Sequence, residues 1–319
     1  MAKRIRTVLG DIDADRLGWC QCHEHLFLEK GKSYEVSPAL CMDDYDKSLQ
    51  ELMQYRQAGG CSYVDAQPVG AGRMAERMVK AAQASGVHIV GSTGFHKTGF
   101  YEEDSFIFSW SEEQLADLFL SELEEGMLSS VQDGEKRLTA RAGIVKVAVD
   151  KGGVYGTATY EKLFRAALTA AKKSGMAVLA HFESETDAFE LLKLMEEYAL
   201  PPERLIACHL DRARHDLGYH KELAQAGAFL EYDTINRLKY ISNEKEIQLI
   251  CGMLEAGFCS SLLFSLDTTN QRLRSYGADF GLDYILTTFS AMLAEAGVGE
   301  DTLHDIMTAN AAKAIAVNI

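Results

Sequence analysis

Trp19-Cys20-Gln21-Cys22-His23-Glu24-His25 opens on apolar and small side chains and closes on three that titrate. A short β-prone run that ends this way suits a strand carrying chemistry at its C-terminal tip. Seven more short runs follow it, at 61–67, 87–94, 141–149, 176–181, 205–209, 229–233 and 262–267. Between them lie amphipathic stretches near 43–58, 71–85, 112–126, 157–174, 184–199, 215–226, 243–256 and 281–296. Several of these stop at the expected residue: Gly59, Gly86, Gly126, Gly175, Gly227, Gly257 and Gly297. Strands alternating with helices build βαβ units and a parallel sheet. Eight such units predict an α/β fold, a (β/α)8 TIM barrel. An open dinucleotide-binding sheet would want a Gly-x-Gly-x-x-Gly turn after the first strand, and none is present. Residues 302–316 add an extra C-terminal helix. No linker, repeat or low-complexity tract divides the chain, so residues 1–319 are expected to form one domain. The longest connections, 97–111 and 267–281, follow strands, at the barrel end where sites are built.

Composition narrows the function classes. Of 319 residues, 47% are hydrophobic, which excludes a disordered chain. Thirty-two Lys and Arg against 47 Asp and Glu leave a formal charge of −15, which argues against nucleic acid or an anionic membrane as partner. No apolar run approaches the ~20 residues of a membrane helix. The basic opening Met1-Ala2-Lys3-Arg4-Ile5-Arg6 lacks an apolar core behind it, so a cytoplasmic protein is expected. Seven cysteines without a Cys-x-x-Cys do not form a disulfide framework. Cys20 and Cys22 could be soft metal ligands. The favoured reading makes them small apolar groups on one face of the first strand, opposite in parity to the histidines.

The strand ends carry the candidate chemistry. Strand 1 ends in His23-Glu24-His25, strand 5 in His181, strand 6 in His209 and strand 8 in Asp267, while Lys146 interrupts the apolar fourth strand. His23 and His25 are two apart and point the same way on a strand, so they can grip one ion together. Imidazoles with a carboxylate suit zinc and its neighbours. Singly, each residue reads as well as a satisfied core histidine or a snorkelling lysine. Together at one rim, they would be costly to bury without a shared purpose.

The ordered set resembles the phosphotriesterase family of the amidohydrolase superfamily. The likeness begins at Arg4-Ile5-Arg6-Thr7-Val8-Leu9-Gly10 and continues through Cys22-His23-Glu24-His25-Leu26, Lys146, Ala180-His181, Cys208-His209-Leu210-Asp211 and Leu266-Asp267 to Asn310. That resemblance implies two divalent metal ions, zinc with manganese or cobalt as alternatives. His23, His25 and Asp267 would hold one ion, His181 and His209 the other, and a carboxylated Lys146 would bridge them. Two such ions generate hydroxide at neutral pH, and Asp267 would accept its proton. Asp211 would either relay that proton outward or cap the following helix. A homodimer is expected from the family alone.

Substrate signals are weaker. Arg237, Lys239, Arg272 and Arg274 stand in the connections after strands 7 and 8, with Tyr276 and Tyr240 beside them. Such loops often bind phosphate in barrels, although four cations also read as solvated surface charge. Gly94-Phe95-His96-Lys97-Thr98-Gly99-Phe100-Tyr101, Tyr232-Asp233 and Arg237-Leu238-Lys239-Tyr240 are similar to the branch that opens phosphorylated sugar lactones. Thr234 stands where triesterases and acyl-homoserine lactonases place His or Arg, and Asn310-Ala311-Ala312 replaces Asn-Pro-Ala. The expected activity is hydrolysis of a phosphorylated lactone, with His96, Lys97, Arg237, Lys239, Arg272, Arg274 and Tyr276 touching substrate. The alternatives are a phosphotriesterase or carboxylic ester hydrolase with promiscuous lactonase activity, or a metal-containing binding protein without catalysis.

Overall fold

A computed structural model describes residues 3–129 and 136–318. Its main sheet has eight strands: β1 (Cys20–Glu24), β2 (Ser62–Asp65), β3 (His88–Gly94), β4 (Ile144–Val149), β5 (Val178–Phe182), β6 (Leu205–Cys208), β7 (Phe229–Tyr232) and β8 (Leu262–Phe264). Each strand pairs in parallel with the next in sequence order. The connecting helices are α1 (Tyr45–Gln57), α2 (Ala75–Ser85), α3 (Glu112–Glu124), α4 (Ala158–Ser174), α5 (Ala188–Glu197), α6 (Leu217–Ala226) and α7 (Asn243–Glu255). An eighth begins as a π-turn, Ile285–Phe289, and continues as Ser290–Glu295. This is the expected (β/α)8 barrel.

The seam between β8 and β1 is sealed mainly by a side chain. The buried Glu24 carboxylate accepts the N–H groups of Leu266 at 2.7 Å and Thr268 at 3.1 Å. His25 N–H and Thr268 Oγ1 add a contact of 3.0 Å, and Asp267 N–H reaches the His23 carbonyl at 3.2 Å. One acidic residue thereby does what a strand ladder would, and it stands between two candidate ligands.

A bulge corrects the expected parity of β1. Its register against β2 shifts between Gln21 and Glu24. Cys20 and Cys22 face the apolar barrel interior, yet His23 and His25 reach the site as well. The extra residue re-aims the chain, so cysteines and histidines that simple alternation places on opposite faces share the inside.

Three further differences have local causes. The stretch at 71–85 becomes helical only from Ala75, because Arg73 turns inward to a bidentate pair with Glu122 at 2.6 and 2.8 Å. The helix expected at 302–316 runs from Glu300 to Ile315 and passes through a π-turn at Ile306–Asn310. There Asn310 donates its amide to the carbonyls of Cys259 and Leu262, pinning the helix beneath β8. An antiparallel hairpin, Lys3–Thr7 with Gly10–Asp13, was not anticipated and is joined by Val317–Asn318. Ile5 from that hairpin and Ile315 from the last helix plug the barrel floor.

Candidate metal centre and anion cavity

Five ligand-type side chains meet where the sequence placed them. His23 Nε2 lies 3.7 Å and His25 Nε2 3.5 Å from Asp267 Oδ1. His181 Nδ1 lies 2.7 Å from His209 Nε2. One ligand atom from each of His23, His209 and Asp267 fits within 4.8 Å of the others. Local backbone makes this possible: His209 and Asp267 adopt left-handed φ values of 65° and 48°, a conformation costing an L-residue roughly 1–2 kcal/mol. Such strain is stored where the surrounding structure holds a residue in place, here at the tips of two strands.

Carboxylates back the histidines. His209 Nδ1 donates to Asp233 Oδ1 at 2.6 Å, and His181 Nε2 donates to Glu183 Oε1 at 3.0 Å. Asp233 also accepts the His209 N–H at 3.1 Å and lies 3.3 Å from His23 Nδ1. A nitrogen that donates outward leaves the opposite nitrogen with a lone pair. His181 Nδ1 and His209 Nε2 then face each other 2.7 Å apart, both with a lone pair to offer a metal ion. Burial pulls His181 down to about 3 and His209 and His23 well below the imidazole range, so all three rings are neutral and fit as ligands.

Lys146 sits among them, fully buried, its side-chain nitrogen without a hydrogen-bond partner among the described residues. Burial lowers its pKa despite the nearby Cys208, Asp267 and Asp233. Its place on β4 is fixed by Gly94 at the end of β3. Gly94 has φ 97°, and a Cβ there would fall 2.0 Å from the Lys146 carbonyl. A buried amine without a partner, beside two groups of metal-capable residues, fits a bridging role. The second group is His23, Cys208 and Asp233. Burial pushes the Cys208 thiol up, so it is a poor thiolate ligand. Cys20 and Cys22 stay in the floor, as apolar groups.

Above the histidines opens a cavity of about 420 Å³, lined by His23, His25, His96, His181 and Asp267 and by the cations Lys97, Arg212, Arg237, Lys239 and Arg272. Arg237 grips Asp267 twice, at Oδ2 and at the carbonyl, both 2.6 Å, and Arg212 approaches Oδ2 at 3.3 Å. Burial alone would raise the Asp267 carboxyl, but Arg237 and the facing histidines hold it well below the usual range. Arg272 donates to the carbonyls of Ile235 and Asn236 at 2.6 and 3.0 Å, and its buried Nε has no partner. Burial and Arg237 pull the Arg272 guanidinium down to about 10.

Two anticipated substrate residues lie elsewhere. Arg274 pairs with Asp283 at 3.2 Å, and the Tyr276 hydroxyl donates to the Asp44 carbonyl at 2.9 Å, so neither lines the cavity. Arg272 ends one 3-10 turn after β8, Asn270–Arg272, while Arg274 and Tyr276 belong to the next, Arg274–Tyr276, which linear counting does not show. Asp211 neither caps a helix nor faces the cavity. The cap position of the short helix Leu210–Ala213 belongs to His209, and the Asp211 carboxylate accepts the Thr234 N–H at 2.5 Å and its hydroxyl at 2.9 Å.

The phosphotriesterase family model matches residues 3–315. The chain belongs to the phosphotriesterase family. Members are binuclear metal enzymes, and this chain is a metal-dependent hydrolase with the metal-capable groups in place. A "phospho-furanose lactonase" of Mycoplasmopsis synoviae is 28% identical, covering 98% of this chain and 92% of that protein. An amidohydrolase structure from Mycoplasma synoviae aligns with a TM-score of 0.91 at 28% identity, covering 99% of this chain and 93% of its own. A lactonase structure from Listeria monocytogenes aligns at 0.89 with 27% identity and 98% coverage of both chains. Within this family frame, sequence reasoning missed Asp233, Glu183 and Arg212 as site residues. All three immediately follow or closely trail a strand tip, the signal that located the ligands themselves.

Proposed function

We propose that the protein opens phosphorylated furanose lactones to hydroxy acids, as a binuclear metal hydrolase. His23, His25 and Asp267 would hold one ion and His181 and His209 the other, with Lys146 as a carbamate between them and zinc as the metal. The unpartnered Lys146 amine and its lowered pKa support carbamate formation, since neutral amine is what adds CO₂. When bound, such ions supply Lewis acidity toward the ring carbonyl and lower the pKa of an attacking water.

The chain's own residues do the rest. Asp267 presents Oδ1 to the histidines while Arg237 and Arg212 hold Oδ2. The arginines keep this carboxylate ionised, so that it would take the water's proton and return it to the departing ring oxygen. The lactone and one water thus become a hydroxyl and a carboxylic acid.

Arg272 carries the substrate assignment. A buried guanidinium with no carboxylate partner, in a cavity whose other cations are Arg237, Lys239, Arg212 and Lys97, suits a phosphate monoester. The named activity of the lactonase relatives points the same way. The test is a lactone panel, each sugar with and without its phosphate, run on protein of measured metal content. The expected result is about two metals per chain and a preference for the phosphorylated form of at least ~10-fold in kcat/KM. Equal turnover of both forms refutes the substrate assignment. Metal without turnover of any lactone or ester refutes the enzyme reading.

A further inference from the structure

Lys97, Glu183 and His181 form a chain of contacts that lactone opening does not itself require. Lys97 Nζ lies 2.5 Å from Glu183 Oε1, and the same oxygen lies 3.0 Å from His181 Nε2. Glu183 directly follows β5, while Lys97 belongs to the loop after β3, so the contact ties two strand ends across the rim. A carboxylate ion-paired with Lys97 only accepts, so His181 donates from Nε2 and turns the lone pair of Nδ1 toward His209 Nε2, 2.7 Å away.

The two backing carboxylates differ. Asp233 is fully enclosed behind His209. Glu183 shares its proton-accepting oxygen with a lysine that lines the cavity and is one-quarter exposed. A full negative charge behind an imidazole N–H makes the opposite nitrogen a stronger ligand. The Lys97 ammonium draws part of that charge away. An anion in the cavity offers Lys97 another partner and so returns the charge to Glu183.

We propose that the Lys97–Glu183 pair sets how tightly the metal ion on the His181–His209 side is held, and that an anion in the cavity tightens it by taking up Lys97. The coupling is reciprocal, so the ion in turn favours the anion. The proposal rests on the binuclear reading above. Glu183 acts through His181 and is a positioning residue.

The experiment is a chelator titration of zinc-loaded protein, counting metal per chain, with and without inorganic phosphate. Wild type is expected to release its ions in two steps, the first moving to higher chelator when phosphate is present. Glu183→Gln should release that first ion at about tenfold lower chelator. Lys97→Met should release it later than wild type, and phosphate should no longer move it. Arg274→Met removes a cation that lies outside the cavity and does not touch Glu183, and should leave the phosphate shift in place. If both halves of the pair loosen the ion alike, the contact is mere scaffolding and the proposal fails. It also fails if Arg274→Met matches Lys97→Met, since bulk charge then explains the effect. A wild-type chain that takes up no zinc overturns the binuclear reading and the proposal with it. Two ions held equally by wild type and Glu183→Gln overturn the proposal alone.

Discussion

At the N-terminal ends of the barrel strands, Ile5, Leu17, Phe229, Leu263 and Ile315 pack into an apolar plug together with Cys20 and Cys22. A few residues farther along the same strands, His23, His25, Lys146, His181, His209 and Asp233 are buried just as deeply. The floor gains roughly 25 cal/mol for each Å² of apolar surface it removes from water. The mouth instead leaves the Lys146 amine, the His25 Nδ1 and the Arg272 Nε without partners, each costing of order 1–3 kcal/mol. The difference teaches a division of labour: the floor stabilises the fold, and the mouth subtracts from stability in exchange for chemistry.

The largest test of that division is Lys146→Ala. Removing the proposed bridge should lower kcat/KM by at least ~1,000-fold, about 4 kcal/mol of activation barrier, while the thermal stability of the metal-free protein stays equal or rises because an unpaired buried amine is gone. A short carboxylic acid such as propionate should restore part of the turnover and the metal content. Full activity with both metals in the unrescued variant would remove Lys146 from the centre. Ile315→Ala, at the floor, should do the reverse. Its side chain is 1% exposed, so a loss of 2–5 kcal/mol in unfolding free energy is expected by denaturant titration (order of magnitude). Metal per folded chain and kcat should hold. A variant that folds fully but sheds metal would show that floor and mouth are not separable.

The same two regions were not equally legible in the sequence. Strand order, the glycine stops and the six ligand-type residues could be read because each depends on chain-local pattern: a run of β-formers, a φ above zero, a polar tip. All seven stop glycines do adopt positive φ. The β1 bulge could not be read, since nothing in Gln21-Cys22-His23 differs from plain alternation until β2 sets its register. Glu24 reads in the sequence only as part of a titratable strand tip and proves to seal the seam. Arg274 and Tyr276 looked equivalent to Arg272, and only the 3-10 turns after β8 decide that one faces the cavity and two face α1 and the segment before the eighth helix. Side-chain direction in loops follows tertiary contacts, which is why the ligand-type residues at strand ends converge as expected while only some of the loop cations face the cavity.

The helical shell offers a test that belongs to neither region. His220 on α6 accepts from the Tyr232 hydroxyl at 2.6 Å and donates to the Arg214 carbonyl at 2.7 Å. Burial pulls it down to about 4, below its ordinary value near 6.5. The folded protein therefore resists the proton that the unfolded chain accepts. Its contribution is fully present above pH 6.5 and is lost as pH falls from 6.5 through 4, by up to about 3 kcal/mol. His220→Gln can make both contacts without titrating. The variant should lose less stability than wild type across that window, measured by denaturant midpoints at pH 7, 5.5 and 4.5. Parallel losses would place the acid sensitivity in the mouth's carboxylates instead.

Arg272→Met sharpens the contrast within the mouth itself, between the residues that hold metal and those that hold substrate. The guanidinium spends two donors on the Ile235 and Asn236 carbonyls and keeps the rest of its charge without an acidic partner. Methionine fills similar volume without charge, so the cavity keeps its shape and loses one cation. A phosphorylated lactone should then show KM raised 10- to 100-fold, about 1.4–2.7 kcal/mol, with metal content unchanged. The plain lactone should be turned over as before, because it never used that charge. A fall in kcat for both substrates would instead place Arg272 with Arg237 in orienting Asp267. An unchanged KM for the phosphorylated form would move the phosphate to Lys239 and Lys97, at the outer rim, and leave Arg272 as a strut that ties the loop after β8 to the loop after β7.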